Sequence, residues 1–338
     1  MNNALNSLWK EGVDFLGSQY AIMGGAMSWV SERNLVAAIS NAGAFGVIAC
    51  SSMTPELLDA EIKATQALTQ KPFGVNLIIM HPKMPELIQV CINNKVTHVV
   101  LAGGIPRQEM ITPLKDAGIK VIGFAPAAVI GKKLIKMGAD ALIIEGAEAG
   151  GHIGPVSTSV LAQEILPEIT EVPVFVAGGI GRGEAIAGYL EMGAAGVQLG
   201  TRFVCATESI AHENFKKAFI RGNARDAQPS VQIDPDFPVI PVRALVNKAT
   251  EEFTRKQLEV IAKFRSGELE KNAAQLEIEH YWAGALRKAV IDGDVEHGSL
   301  MAGQSVGMVK SIQPVAEILA ELVAQAERYL HKGATKYA

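Results

Sequence analysis

The chain has 338 residues, 49% hydrophobic and 20% charged, and its 31 Lys and Arg against 35 Asp and Glu leave a net charge of −4. That composition excludes a disordered or fibrous chain and supplies a large core. The near balance of charge, with no Lys/Arg-rich run, excludes a dedicated nucleic-acid surface.

In chain order, the start (Met1 to Gly17) has no basic segment followed by an apolar one, so no signal peptide is expected. The longest charge-free stretch, from Asn34 to just before Glu56, is interrupted by Asn34, Ser40 and Asn41, and no membrane span is expected. Short apolar runs bordered by glycine then recur: Ala21–Gly25, Gly46–Ala49, Gly74–Ile78, His98–Gly104, Lys120–Gly123, Ala141–Gly146, Val174–Gly179 and Gly196–Gly200. Continuous apolar runs indicate strands buried on both faces of a parallel sheet. Helical patterns such as Pro55–Thr69 and Ala128–Met137 lie between them, as the crossovers of βα units require. Eight such units predict an α/β fold, a (β/α)8 TIM barrel, over residues 1–208. A doubly wound sheet is the competing architecture, but no GxGxxG follows the first strand. After Glu208 the chain is densely charged and helical in pattern, with a Pro-rich break from Asp234 to Pro241. Residues 209–295 are therefore expected to form a mostly helical insertion or lid. Residues 296–338 are expected to pack back on the barrel and to end in an amphipathic closing helix, Val315–Leu330.

Barrels place their sites on the loops after the strands. The run Glu145-Gly146-Ala147-Glu148-Ala149-Gly150-Gly151-His152-Ile153-Gly154 follows the sixth strand and sets one histidine among four glycines. Glycine admits close backbone approaches, and a histidine there can exchange a proton near neutral pH. The plain alternative is a tight turn with a hydrogen-bonded surface histidine. Ala177-Gly178-Gly179-Ile180-Gly181 follows strand seven and Gln198-Leu199-Gly200-Thr201-Arg202 follows strand eight. Two adjacent glycine loops at those positions predict a phosphate cradle of backbone N–H groups. Asn76, inside an apolar strand, needs a partner and either bonds a neighbouring loop or faces a ligand. Cys50, Cys91 and Cys205 are too widely spaced for a disulfide framework or a zinc site. A reduced, cytoplasmic setting fits them, and no metal site is expected among the histidines.

The sequence resembles the nitronate monooxygenase (2-nitropropane dioxygenase) family, which includes the enoyl-acyl-carrier-protein reductase II enzymes. The resemblance rests on Glu148-Ala149-Gly150-Gly151-His152-x-Gly154, supported by Ser40-Asn41-Ala42-Gly43, Pro72–Leu77, Ala177–Ile180 and Gln198-x-Gly200-Thr201-Arg202-Phe203. It implies FMN across the barrel mouth, with the phosphate at Gly178, Gly179, Gly200 and Thr201. It also implies that Asn76, Glu145, Gly150 and Gln198 lie along the ring or ribityl chain, that Gly24 and Gly25 sit near the ring, and that His152 is catalytic. Where Glu145 stands, many nitronate-oxidising members carry Gln and the enoyl reductases usually carry Glu. The segment Gly293–Gln304 also looks like the reductases, whereas Ala102-Gly103-Gly104-Ile105-Pro106 lacks the Asn they typically have after strand four. The first expected activity is oxidation of alkyl nitronates with O2. The alternative is NAD(P)H-dependent reduction of an enoyl thioester on acyl carrier protein, and a non-redox phosphate-binding barrel is a remote third. The expected partner is a small-molecule substrate rather than nucleic acid or membrane, with a homodimer one possible assembly.

Overall fold

All eight apolar runs become staves of a closed parallel barrel. The computed structural model describes residues 3–50, 53–237 and 239–336, so Met1, Asn2, Ser51, Ser52, Pro238, Tyr337 and Ala338 of the expected segments lie outside the described residues. The first six staves are β1 (Ile22–Gly24), β2 (Phe45–Ala49), β3 (Phe73–Ile78), β4 (His98–Ala102), β5 (Lys120–Phe124) and β6 (Ala141–Glu145). A two-residue strand, β7 (Gly151–His152), lies outside the barrel, and β8 (Val174–Ala177) and β9 (Gly196–Leu199) complete it. Closure pairs β9 with β1, with Gln198 opposite Met23.

Strand residues alternate between faces. Met23, Phe45, Val47, Val100, Ile122, Ile143 and Phe175 fill the barrel interior, and Leu16 of the helix Lys10–Leu16 joins the same cluster. Phe15, packed against that cluster, accepts a hydrogen bond at its carbonyl from His98 Nε2 at 3.0 Å. This helix therefore closes the end of the barrel opposite the strand C-termini.

The surrounding helices follow from their apolar spacing. In Pro55–Leu68 the residues Leu58, Ile62 and Thr65 recur at helical intervals and are buried. The Thr54 side chain caps this helix by accepting from Leu57 N at 3.3 Å, and Pro55 suits the first turn. Burying one Leu or Ile contributes about 1.5–3 kcal/mol, so the stripe, more than local propensity, holds the helix in place. The closing helix runs Val315–Lys336, six residues longer than expected at its C-terminal end, and lies against the helix Gly183–Glu191. Gly183 permits that approach: a Cβ there would fall 1.9 Å from the Leu322 carbonyl oxygen.

The charged tract contains two long helices, Lys248–Arg265 and Lys271–Val290, around a core that includes Phe237, Phe253, Val260, Ile278 and Trp282. It also contains two strands, β10 (Ala227–Pro229) and β11 (Val242–Leu245). They form an antiparallel sheet in the order β10-β11-β7, so the lid is stitched to the loop that follows β6. Phe215 and Phe219, from the helix Glu213–Arg221, pack into the barrel-side core instead. The separate lid core begins near Phe237. Among the described residues, no helix is long and apolar enough to cross a membrane.

Candidate functional site at the barrel mouth

Three polar side chains stand at the C-terminal ends of the staves. Asn76 lies opposite Val100, while Glu145, Ala177 and Gln198 are in register across β6, β8 and β9. Alternation from Ile143 and Phe175, both interior, puts Glu145 and Ala177 on the inner face, and Gln198 shares it through its register with Met23 and Ala177. Asn76 and Gln198 are buried, yet among the described residues no protein group bonds any of these three side chains. Burial pushes the Glu145 carboxyl up to about 7, while the nearby His152 charge pulls the other way. Polar side chains without protein partners, gathered on the inner face, are available to bond a polar ligand. Among the described residues, the Asn76 side chain bonds no neighbouring loop.

Beside them lie the glycine loops that follow β8 and β9, where the cradle is expected. Gly178 and Gly179 adopt φ of 95° and 72°, which favour glycine, and a Cβ on Gly179 would come within 2.9 Å of Glu148 Cβ. Among the described residues, the N–H groups of Gly179, Gly200 and Thr201 donate to no backbone or side-chain oxygen of the protein. Thr201 Oγ1 accepts from Gly303 N at 2.9 Å, which leaves the hydroxyl hydrogen free to donate. Arg202, from the same motif, instead bonds Glu321 at 2.7 Å and anchors the closing helix.

The remaining expected residues have structural partners. Gly24 meets Ile39, whose Cδ1 would lie 2.6 Å from an added Cβ. Gly25 is covered by Gln198, whose side chain would lie 3.1–3.3 Å from a Cβ there. Gly150 packs on the backbone of Ala302 and Gly303, where a Cβ would come within 2.5 Å of Gly303 N. Its glycine is thereby explained without a ligand.

His152 sits in neither a free loop nor a tight turn. It occupies β7, opposite Val242, and its side chain is exposed and hydrogen-bonded, as the plain alternative of a surface histidine expected. Its Nε2 stands 3.1 Å from Glu279 Oε2 on the lid helix Lys271–Val290. Among the described residues, Glu279 is thus the carboxylate in reach of the imidazole, and the Glu145 carboxyl feels the charge of that ring.

Sequence reasoning missed four supporting groups. Glu279 is one of many charges in the lid tract, and nothing in its spacing marks it. Arg243 is buried and donates to the carbonyls of Ala147 and Ala227, holding the β6 loop to the lid sheet. Glu148, known only as part of the motif, accepts from Thr158 N at 2.8 Å and Thr158 Oγ1 at 2.9 Å. The Thr158 hydroxyl also lies 3.1 Å from the Gly178 carbonyl, so this pair supports the cradle.

The model of the nitronate monooxygenase family matches residues 10–90 and 82–325. The chain belongs to the nitronate monooxygenase family. The family is generally FMN-dependent, and this member is an oxidoreductase. Its relatives differ in what their names say. A protein of Rhodococcus jostii (strain RHA1) is 32% identical over 93% of this chain and 94% of its own length, and is named (3aS,4S,5R,7aS)-5-hydroxy-7a-methyl-1-oxo-octahydro-1H-indene-4-carboxyl-CoA dehydrogenase. A probable nitronate monooxygenase of Staphylococcus aureus (strain N315) is 25% identical over 93% of this chain and 96% of its own. Among solved structures, FabK from Thermotoga maritima superposes with a TM-score of 0.85 at 33% identity, covering 96% of this chain and 98% of that one. A nitroalkane oxidase from Streptomyces ansochromogenes gives 0.77 at 25% identity, covering 95% and 99%.

Proposed function

We propose that this family member is an FMN-dependent oxidoreductase whose substrate is an acyl thioester, carried on coenzyme A or acyl carrier protein. The residues at the mouth fit a flavin mononucleotide. The uncommitted N–H groups of Gly179, Gly200 and Thr201 suit a single phosphate, and the unpartnered amides of Asn76 and Gln198 suit a polar ring edge or ribityl chain. Bound FMN supplies hydride transfer. The protein's part is to orient the substrate, exclude water and manage protons.

The observation that carries the thioester reading is Glu145. A carboxyl with its midpoint at about 7 is protonated in part at neutral pH, so it can donate to a neutral thioester carbonyl or move a proton to or from the adjacent carbon. A nitronate is an anion. The Glu279 carboxylate paired with His152 offsets the positive charge that an anion would need there, and Glu145 adds negative charge wherever it is ionised. The relatives agree in direction, because the carboxyl-CoA dehydrogenase and FabK are 32% and 33% identical and the nitronate and nitroalkane enzymes 25%. Nitronate oxidation, which the motif resemblance puts first, is the second reading and rests on those more distant relatives. NADH or NADPH would be the hydride source in the reductive direction. Three buried free thiols suit a cytoplasmic setting.

Side-by-side values of kcat/KM for an enoyl thioester and an alkyl nitronate, in wild type and Glu145→Gln, test the reading. Wild type should prefer the thioester, and the substitution should cut thioester turnover by about 10²-fold by removing the proton, while nitronate turnover holds or rises. A wild-type preference for nitronate, or a variant indifferent to the change, would overturn it.

A further inference from the structure

We infer that Glu279 is a positioning residue for His152, so that the lid completes the proton-handling site at the barrel mouth. The inference rests on the reading of His152 as the group that handles the substrate proton. Three observations carry it. His152 Nε2 lies 3.3 Å from Glu279 Oε1 in a hydrogen bond and 3.1 Å from Oε2 in ion-pair reach, so the carboxylate can accept the ring N–H. The His152 backbone is held in β7 by β11 of the lid sheet, and Glu279 lies in the interior of the 20-residue helix Lys271–Val290. Both partners thus belong to elements that the lid core fixes, through Ile278 one residue before Glu279 and Val242 opposite His152. An exposed ion pair between two mobile side chains contributes little. Here the value is geometric, because a group that handles a proton must be held within hydrogen-bond reach of it.

The consequence is a division of labour on the ring. With Nε2 donating its hydrogen to Glu279, Nδ1, which has no protein partner among the described residues, is the ring nitrogen left to exchange a proton. Glu279 from the helix Lys271–Val290 pairs with His152 directly, and the Glu145 carboxyl on β6 feels its charge. Trp29, in the loop after β1, donates from Nε1 to the Ala283 carbonyl at 3.2 Å on the same lid helix. The helix that carries Glu279 is therefore tied to the barrel mouth at a second point, four residues away.

The test compares Glu279→Gln, which keeps an oxygen acceptor, with Glu279→Leu, which keeps bulk alone. It is read on the flavin-loaded full chain by turnover and by the NMR signals of the His152 ring, assigned by their loss in His152→Asn. Glu279→Leu should lower kcat ten- to a hundredfold on the order expected for a misplaced group, with KM little changed, and should broaden the ring signals. Glu279→Gln should restore both in large part. Unchanged ring signals and kcat in Glu279→Leu would overturn the inference, as would a lower Tm with normal turnover per folded molecule. If wild type turns over neither thioester nor nitronate, the proposed function fails while the NMR comparison still decides the role of Glu279.

Discussion

At the scale of single residues, chemistry at the two ends of the barrel is set by burial. At the mouth, Glu145 has no hydrogen-bond partner among the described residues, and burial pushes its carboxyl up. At the closed end, His98 is buried between Thr97 and the Phe15 carbonyl, edge-on to the rings of Phe15 and Phe45, and burial pushes its imidazole down to about 4. A histidine whose folded-state pKa lies below its unfolded value takes up protons more readily when unfolded, so it weakens the fold as pH falls. Stability should therefore drop between about pH 6.5 and 4, by up to about 3 kcal/mol from this residue. Glu145 slopes the other way, because its raised pKa favours the fold as pH falls. The difference between wild type and His98→Gln isolates the histidine. Gln keeps a donor for the Phe15 carbonyl and does not titrate. Urea unfolding of both proteins across that range should show a gap that closes toward acid pH, and a constant gap would refute the assignment. Of these residues, Asn76 was legible in sequence because an amide inside an apolar strand is conspicuous. His98 was not, because a histidine heading an apolar run carries no mark of which end of the barrel it seals.

At the scale of elements, the barrel staves were legible because each is a continuous apolar run ended by glycine. The two-residue strand β7 was not legible. Its residues, Gly151 and His152, have no strand pattern, and the partner that makes them a strand lies about ninety residues away in β11. The same holds for Gly150, whose glycine answers to the C-terminal segment. Gly303 N donates to Thr201 Oγ1 and Gln304 N to the Glu148 carbonyl, so that segment braces the cradle from outside. Gly150→Ala would drive a Cβ to 2.5 Å from Gly303 N, against backbone that cannot rotate away. The expected result is about 1–3 kcal/mol of lost stability together with weaker FMN binding, measured by thermal melts and flavin titration. Gly154→Ala is the control, since a Cβ there meets nothing within 4 Å. Wild-type FMN affinity in Gly150→Ala would show that the brace does not reach the cradle.

At the scale of the whole molecule, the described chain is a barrel closed at one end by its N-terminal helix, with a helical tract after β9 that supplies strands to the loop following β6. The fold and the family were readable from the rhythm of glycine-ended strands and the Glu-Ala-Gly-Gly-His-x-Gly run. The charge around His152 was not, because Glu279 comes from a helix whose place no local pattern gives. The central claim is that flavin in this mouth exchanges hydride with an acyl thioester. Anaerobic stopped-flow absorbance tests it most directly, with the flavin-loaded chain mixed separately with NADH, NADPH and an alkyl nitronate, and the reduced protein then mixed with an enoyl thioester. The account predicts rapid bleaching by a pyridine nucleotide and rapid return of colour with the thioester. Bleaching by nitronate alone, with no reoxidation by the thioester, would contradict it.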